Sequence, residues 1–238
     1  MESKKSGISN GMRINKYLAR SGFSTRRGAD EMISAGKVYI NGKLAKLGME
    51  VSETDKVTLK GFEPKEYFYY AYYKPVGVIT IGKEPDTKSI ADVAKFPERV
   101  FPIGRLDKDS EGLLLMTNDG RLTDKLLNPD FDHEKEYLVE LDKHITHEFL
   151  VKMFQGVKIS GGKTKQAKIR RKEKNSFEMI LTEGKNRQIR RMCGTLGFGV
   201  KKLKRTRIMN ITLGKLKPNQ YRNLTPKELK DLLKSLGI

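Results

Sequence analysis

Apolar positions recur at helical spacing from Met12, where Ile14, Tyr17, Leu18 and Ser21 share one side of MRINKYLARSG. Gly22 stands where a left-handed C-terminal cap belongs. A second helix is predicted over TRRGADEMISAG, with Ser24 or Thr25 at its N-cap, Ala29, Met32 and Ile33 facing inward and Gly36 closing it. KVYINGKLAKLG then reads as strand, turn and short strand, because Asn41-Gly42 tolerates the positive φ of a tight hairpin. Val57 to Leu59 adds a last strand before the turn residues of Gly61 to Pro64. The division that follows is a polar lead-in at 1–11, expected to be disordered, a small α/β domain at 12–60, a linker at 61–66 and a second domain at 67–238.

In the second domain the apolar runs are short and bounded by turn residues, which predicts strands at 67–73, 77–80, 113–117, 136–141, 166–171 and 177–181. Helical patterns interrupt them at 119–127, 146–154, 185–196 and 226–236, the last with Thr225 at the N-cap, Pro226 at N1 and Glu228 at N3. Strands outnumber helices without strict β-α-β alternation. The expected class is α+β, with a mixed, largely antiparallel sheet flanked by helices. The tyrosines of 67–73 alternate across a strand and are read mainly as packing.

Composition adds a partner. Lys and Arg number 48 against 29 Asp and Glu, a formal charge of +19 over 238 residues, which points to a polyanion. The excess is uneven: residues 61–154 hold 13 basic and 18 acidic groups, whereas residues 155–215 hold 18 and 3. A +15 segment with regular apolar positions suggests a cationic face on a folded element. No apolar run approaches the roughly 18 residues of a membrane span, so no membrane partner is expected and a cytoplasmic location fits. One cysteine, Cys193, and three histidines make neither a disulfide framework nor a plausible zinc set; no metal and no cofactor is expected.

Three stretches carry candidate chemistry. In FPIGRLDKDSEGLLLMTNDGRL, residues 101–122, a charged turn opens into an apolar strand, a position suited to a reactive carboxylate. Asp107 and Asp109 both qualify, lying on one side of an extended chain, with Asp107 two residues from Arg105. A surface turn with an internal ion pair is the plainer reading of the same residues. In LTEGKNRQIRRMCGTLGF, residues 181–198, a helix is predicted from Lys185, presenting Arg187, Arg190 and Arg191 near its N-terminus. One of these arginines can pair with a carboxylate, or all three can bind phosphate. In HEKEYLVELD, residues 133–142, Tyr137 can stack on a base or anchor the core.

In that order and spacing, the three stretches resemble the motifs of pseudouridine synthases. GRLDKDSEGLLLMTNDG and EGKNRQIRRM are similar to the branch acting on small- and large-subunit ribosomal RNA, and residues 12–60 resemble the S4 RNA-binding module that precedes the catalytic domain there. NRQIRRMCGTLGFGVKKLKRTRIMNITLG is nearest the large-subunit (23S) type labelled synthase F. The resemblance implies that Asp107 is the nucleophile, Arg190 its ion-pair partner and Tyr137 the ring that packs on the target base. It also implies that Arg105 and Leu181 meet the substrate. Lys185, Arg187 and Arg191, with Arg13, Lys16, Arg26 and Arg27 of the S4-like helices, are the expected RNA-binding cations.

The implied activity is isomerisation of a specific uridine by base flipping and aspartate-dependent cleavage and re-formation of the glycosidic link. The implied partner is ribosomal RNA, free or in a pre-ribosomal particle, with a transfer RNA as a further substrate, and the enzyme is expected to be a monomer. Two rivals remain. A non-catalytic ribosomal-RNA-binding assembly factor needs only the charge and the S4-like module. A hydrolase of nucleosides or sugars would use Asp107 with Asp109 or Glu111.

Overall fold

The computed structural model describes residues 11–21, 23–52, 54–61, 66–128 and 131–238. The lead-in at 1–10, the cap expected at Gly22 and linker residues 62–65 lie outside that set. Two compact units result, one running to Tyr67 and including Asp119–Asp124, the other holding Phe68–Asn118 and Lys125–Ile238.

The first unit contains β1 (Met12–Arg13), α1 (Ile14–Arg20), α2 (Arg26–Ser34), β2 (Val38–Ile40), β3 (Lys43–Leu44), β4 (Glu50–Val51) and β5 (Val57–Leu59). Thr25 is the N-cap of α2, its hydroxyl accepting from the Gly28 N–H at 3.1 Å. Asn41 and Gly42 both have positive φ, 50° and 78°, so the β2–β3 hairpin turns as expected and β5 adds to its other edge. Ile14, Leu18, Ala29, Ile33, Val38, Ala45 and Val51 form a core of helix stripe against strand.

The second unit runs β6 (Tyr69–Lys74), α3 (Ile90–Val93), β7 (Phe101–Ile103), β8 (Glu111–Thr117), α4 (Gly120–Leu127), β9 (Lys135–Leu141), α5 (His147–Gln155), β10 (Lys158–Ile159), β11 (Gly162–Lys163), β12 (Lys168–Arg171), β13 (Ser176–Leu181), α6 (Gln188–Thr195), β14 (Val200–Ile208), β15 (Ile211–Thr212), β16 (Tyr221–Asn223) and α7 (Pro226–Leu236), with α4 divided so that residues to Asp124 belong to the first unit and those from Lys125 to the second. Its nine-stranded sheet has the spatial order β12-β13-β9-β14-β8-β6-β16, with β7 on β8 and β15 on β14. Every pairing is antiparallel except β14 with β8. Residues 113–116 of β8 are all buried, and a strand covered on both faces needs no alternation. Tyr70 and Tyr72 pack with Phe96, so the tyrosine run is core.

Three expectations change. The run at 77–80 is no strand: its pairing is the single bridge Ile79 to Ser89, and Gly77 turns with φ 84°. The helix expected from Lys185 begins at Gln188, because Arg187 is left-handed at φ 47° and the Gln188 side chain accepts from the Lys185 N–H, folding 185–188 into a turn. Central strand β14 was not anticipated. Its buried positions are Leu203, Arg205 and Ile208, and a bulge between Arg205 and Arg207 breaks the period of two.

Candidate active site

β7 and β8 bracket the loop that carries Asp107. Gly104, at φ 76°, turns the chain out of β7, and the Ser110 N–H closes a turn on the Asp107 carbonyl at 3.0 Å. The extended conformation expected across Asp107 and Asp109 is therefore replaced by a tight turn. Side chains of the sheet and its neighbours fasten this loop by its backbone. The buried Thr80 hydroxyl accepts from the Leu106 N–H at 3.0 Å and donates to the Leu106 carbonyl at 2.7 Å, fixing both peptide groups of Leu106, the residue before Asp107. Lys74, at the end of β6 and 0% exposed, donates to the carbonyls of Ser110 at 2.8 Å and Pro75 at 2.7 Å.

Burial lowers the Lys74 ammonium to about 8, against the attraction of Asp107, Asp109 and Glu111 and with the repulsion of Arg205. It is a cation beneath the carboxylates that bonds to carbonyls, leaving the carboxylate oxygens unoccupied by it.

The expected pairing of Arg190 with Asp107 is not formed. Arg190 donates to the Asp109 carbonyl at 2.7 Å and the Val200 carbonyl at 3.0 Å, with the Ser110 hydroxyl at 3.5 Å. Among the described residues the cation that contacts the Asp107 carboxylate is Arg187, 3.9 Å from it and 3.3 Å from that of Asp109. The reason is the left-handed turn at Arg187, which brings this residue to the helix end beside the loop while Arg190, one turn into α6, reaches its backbone. Desolvation lowers the pKa of Arg190, and Arg187 adds to that shift while Asp109 and Asp107 oppose it. The Asp107 side chain is 29% exposed and that of Arg187 is 42% exposed, so their contact at 3.9 Å is loose and solvated.

Tyr137 lies on β9 opposite Met179 of β13 and Arg205 of β14, half-buried against the main core. Leu181 is buried in that core, opposite Lys135. Paired residues of adjacent strands share a face and strand residues alternate, so Lys135, Tyr137, Leu181 and Arg205 occupy one side of the sheet. Arg105 is exposed in the loop. Lys185 and Arg191 serve the protein's own backbone: Lys185 donates to the Lys163 carbonyl at 3.1 Å, and Arg191 donates to the carbonyls of Asn186 and Ser160.

In the N-terminal unit, Arg13, Lys16 and Arg26 line an open cavity of about 360 Å³ together with Gly11, Met12, Asn15 and Glu50. Arg27 is exposed and does not line it.

Residues unanticipated from the sequence are Lys74, Thr80, Lys135 and Arg205. Lys74 left a trace, as a charged residue ending the apolar strand of tyrosines and preceding Pro75. Thr80 and Arg205 left none, because a hydroxyl in a turn and an arginine in a basic run are ordinary.

A helix-flanked, mostly antiparallel sheet, a loop-borne aspartate faced by Arg187 with Arg190 on its backbone, and a separate cationic cavity suit an RNA-modifying enzyme with its own RNA-binding unit. The chain belongs to the RNA pseudouridine synthases, matching the RNA pseudouridylate synthase family over residues 68–195 and the S4 domain over residues 12–57. It is 46% identical to the dual-specificity RNA pseudouridine synthase RluF of Escherichia coli K12, over 94% of this chain and 79% of that one. To the ribosomal large subunit pseudouridine synthase B of Bacillus subtilis 168 it is 38% identical, over 92% and 95%. A crystal structure of a pseudouridylate synthase superposes with a TM-score of 0.69 at 29% identity, covering 93% of this chain and 99% of that one.

Among the described residues no helix is long and apolar enough to cross a membrane.

Proposed function

We propose that Asp107 is the nucleophile with which this pseudouridine synthase opens the N1–C1′ link of a uridine in 23S ribosomal RNA, and that it acts as a cytoplasmic monomer. The observation that carries the assignment is the treatment of its loop. Thr80, Lys74 and Arg190 hold backbone groups of residues 106–110, and among the described residues the Asp107 carboxylate has only the loose Arg187 ion-pair contact. A fixed backbone with an uncommitted carboxylate suits a group that must form and release a bond.

In this reading Tyr137 stacks on the flipped base with Leu181 beside it, and Arg105 enters the space the base vacates. Arg190 positions the loop. Arg187 takes the place expected of Arg190 as the cation facing the nucleophile. The N-terminal cations Arg13, Lys16 and Arg26, with Arg27, bind phosphates and offset the few kcal/mol of unstacking. Lys185 and Arg191 hold the 158–163 hairpin against α6, and phosphate contact there is left to their outward donors.

The large-subunit label of the Bacillus relative supports ribosomal RNA, and the dual-specificity label of the Escherichia relative supports a second RNA, for which a transfer RNA loop is the candidate. Tritium release from [5-³H]uridine-labelled ribosomal RNA tests the nucleophile. The wild type releases tritium, and Asp107→Asn releases none while binding the RNA with unchanged affinity; release by the variant at the wild-type rate would overturn the assignment. Loss of a pseudouridine from 23S RNA in a strain lacking the protein identifies the target.

A further inference from the structure

Two cations on the Tyr137 face of the sheet are costly to bury and have no anionic partner among the described residues. Arg205 is 5% exposed. Its Nε donates to the Leu113 carbonyl at 2.7 Å, and its Nη2 is buried without a hydrogen-bond partner. Lys135 is half-buried and donates to the His133 carbonyl at 3.1 Å. Among the described residues neither makes an ion pair. Burial lowers the pKa of Lys135, and Arg205 lowers it further by repulsion. Like charges brought together out of water raise the folding free energy unless something supplies the missing counter-charge.

Their neighbours limit what that something is. Arg205 stands across from Tyr137, and Lys135 stands across from Leu181, two residues along the same strand face. The four side chains thus offer one aromatic wall, one aliphatic wall and two sets of N–H donors. A planar ring with carbonyl oxygens and a negative charge fits that composition. A phosphate on a continuous RNA backbone fits it poorly, since the guanidinium lies in the sheet interior with 5% of Arg205 exposed.

We propose that Arg205 and Lys135 hold the uracil ring by its carbonyl oxygens while it carries negative charge, between breakage of one glycosidic bond and formation of the other. This rests on the reading of Asp107 as nucleophile. When the carboxylate bonds to C1′, the C1′–N1 electron pair leaves with the ring, which then carries one negative charge spread over N1, O2 and O4. When C5 attacks C1′, the carboxylate is expelled, the C5 proton passes to solvent and N1 takes one up. The charge exists only in the middle of the sequence, so donors that meet it raise kcat more than they tighten RNA binding.

The experiment measures kcat and KM by tritium release, with RNA affinity and its salt dependence measured separately. Lys135→Met is expected to lower kcat about a hundredfold with KM and affinity little changed, and Lys135→Arg to recover most of the rate. Arg205→Lys and Arg205→Met extend the test; if they fail to fold, the Lys135 pair still decides. Full kcat in folded Lys135→Met overturns the proposal, as does a loss of affinity and of salt slope at unchanged kcat, which would make Lys135 a phosphate ligand. Tritium release by Asp107→Asn at the wild-type rate would instead remove the reading of Asp107 itself.

Discussion

The guanidinium of Arg190 donates to the backbone carbonyl of Asp109 at 2.7 Å, so this arginine secures the loop of Asp107 from behind and leaves the carboxylate alone. Its other end donates to the Val200 carbonyl at 3.0 Å, which makes it a strut between the loop and the start of β14. A fork of two donors at fixed separation does this; a single ammonium cannot. Arg190→Lys is therefore expected to lose most activity, about tenfold or more, together with about 1–2 kcal/mol of stability. Arg187→Lys is expected to retain more, because a loose contact at 3.9 Å needs charge and not a fork. Parallel tritium-release assays and urea melts of the two variants check the order.

The cavity of the S4 unit separates two adjacent arginines. Arg26 lines it with Arg13 and Lys16, and Arg27 does not. Replacing any of the three lining cations with Ala is expected to weaken RNA binding and to reduce the slope of log K against log salt by about 0.7–0.9 each. Arg27→Ala is expected to change the slope less. Binding titrations at four salt concentrations compare them.

Lys74 links stability to pH. Its folded pKa of about 8 lies below the ordinary 10.5, so between these values the unfolded chain holds a proton that the folded protein has released. Stability contributed by this site therefore rises with pH across that window, by about 1.4 kcal/mol per unit, and is lowest below pH 8. The difference in unfolding free energy between wild type and Lys74→Met is expected to shift in favour of the wild type from pH 8 to 10. Urea unfolding at three pH values reads it directly.

Gly112 pairs with Arg205 where β8 meets β14. Its φ is 111°, and a Cβ there would fall on the carbonyl oxygen of Arg205 and 2.7 Å from its nitrogen. Backbone cannot move aside as a flexible side chain can. Gly112→Ala is expected to cost about 3 kcal/mol or more, or to prevent folding, whereas Gly161→Ala, with open space around it, costs only the left-handed strain of about 1 kcal/mol. Thermal unfolding of both variants distinguishes clash from strain.

Hydrophobic period and turn chemistry sufficed, along the chain alone, for α2 with its cap narrowed to Ser24 or Thr25, the Asn41-Gly42 hairpin, β9, β13 and α7 with its capping box, because each is set by neighbours a few residues apart. Resemblance in three motifs likewise named the family and pointed to Asp107. The sequence alone did not reveal β14, since Arg205 occupies a core position that an apolar residue would have advertised. Charge misled in part. Basic β14 lies beside β9, and its Arg207 faces Glu136 and the preceding Glu134 while its Lys202 faces Glu140, so part of the +15 segment is neutralised across the sheet. Only the tertiary structure decided which arginine faces Asp107, that Thr80 and Lys74 fasten its loop, and that Lys135 and Arg205 flank Tyr137. Apart from Lys135 and Tyr137, which share β9, these relations join residues far apart in the chain, and strand register and one left-handed turn, not local pattern, bring them together.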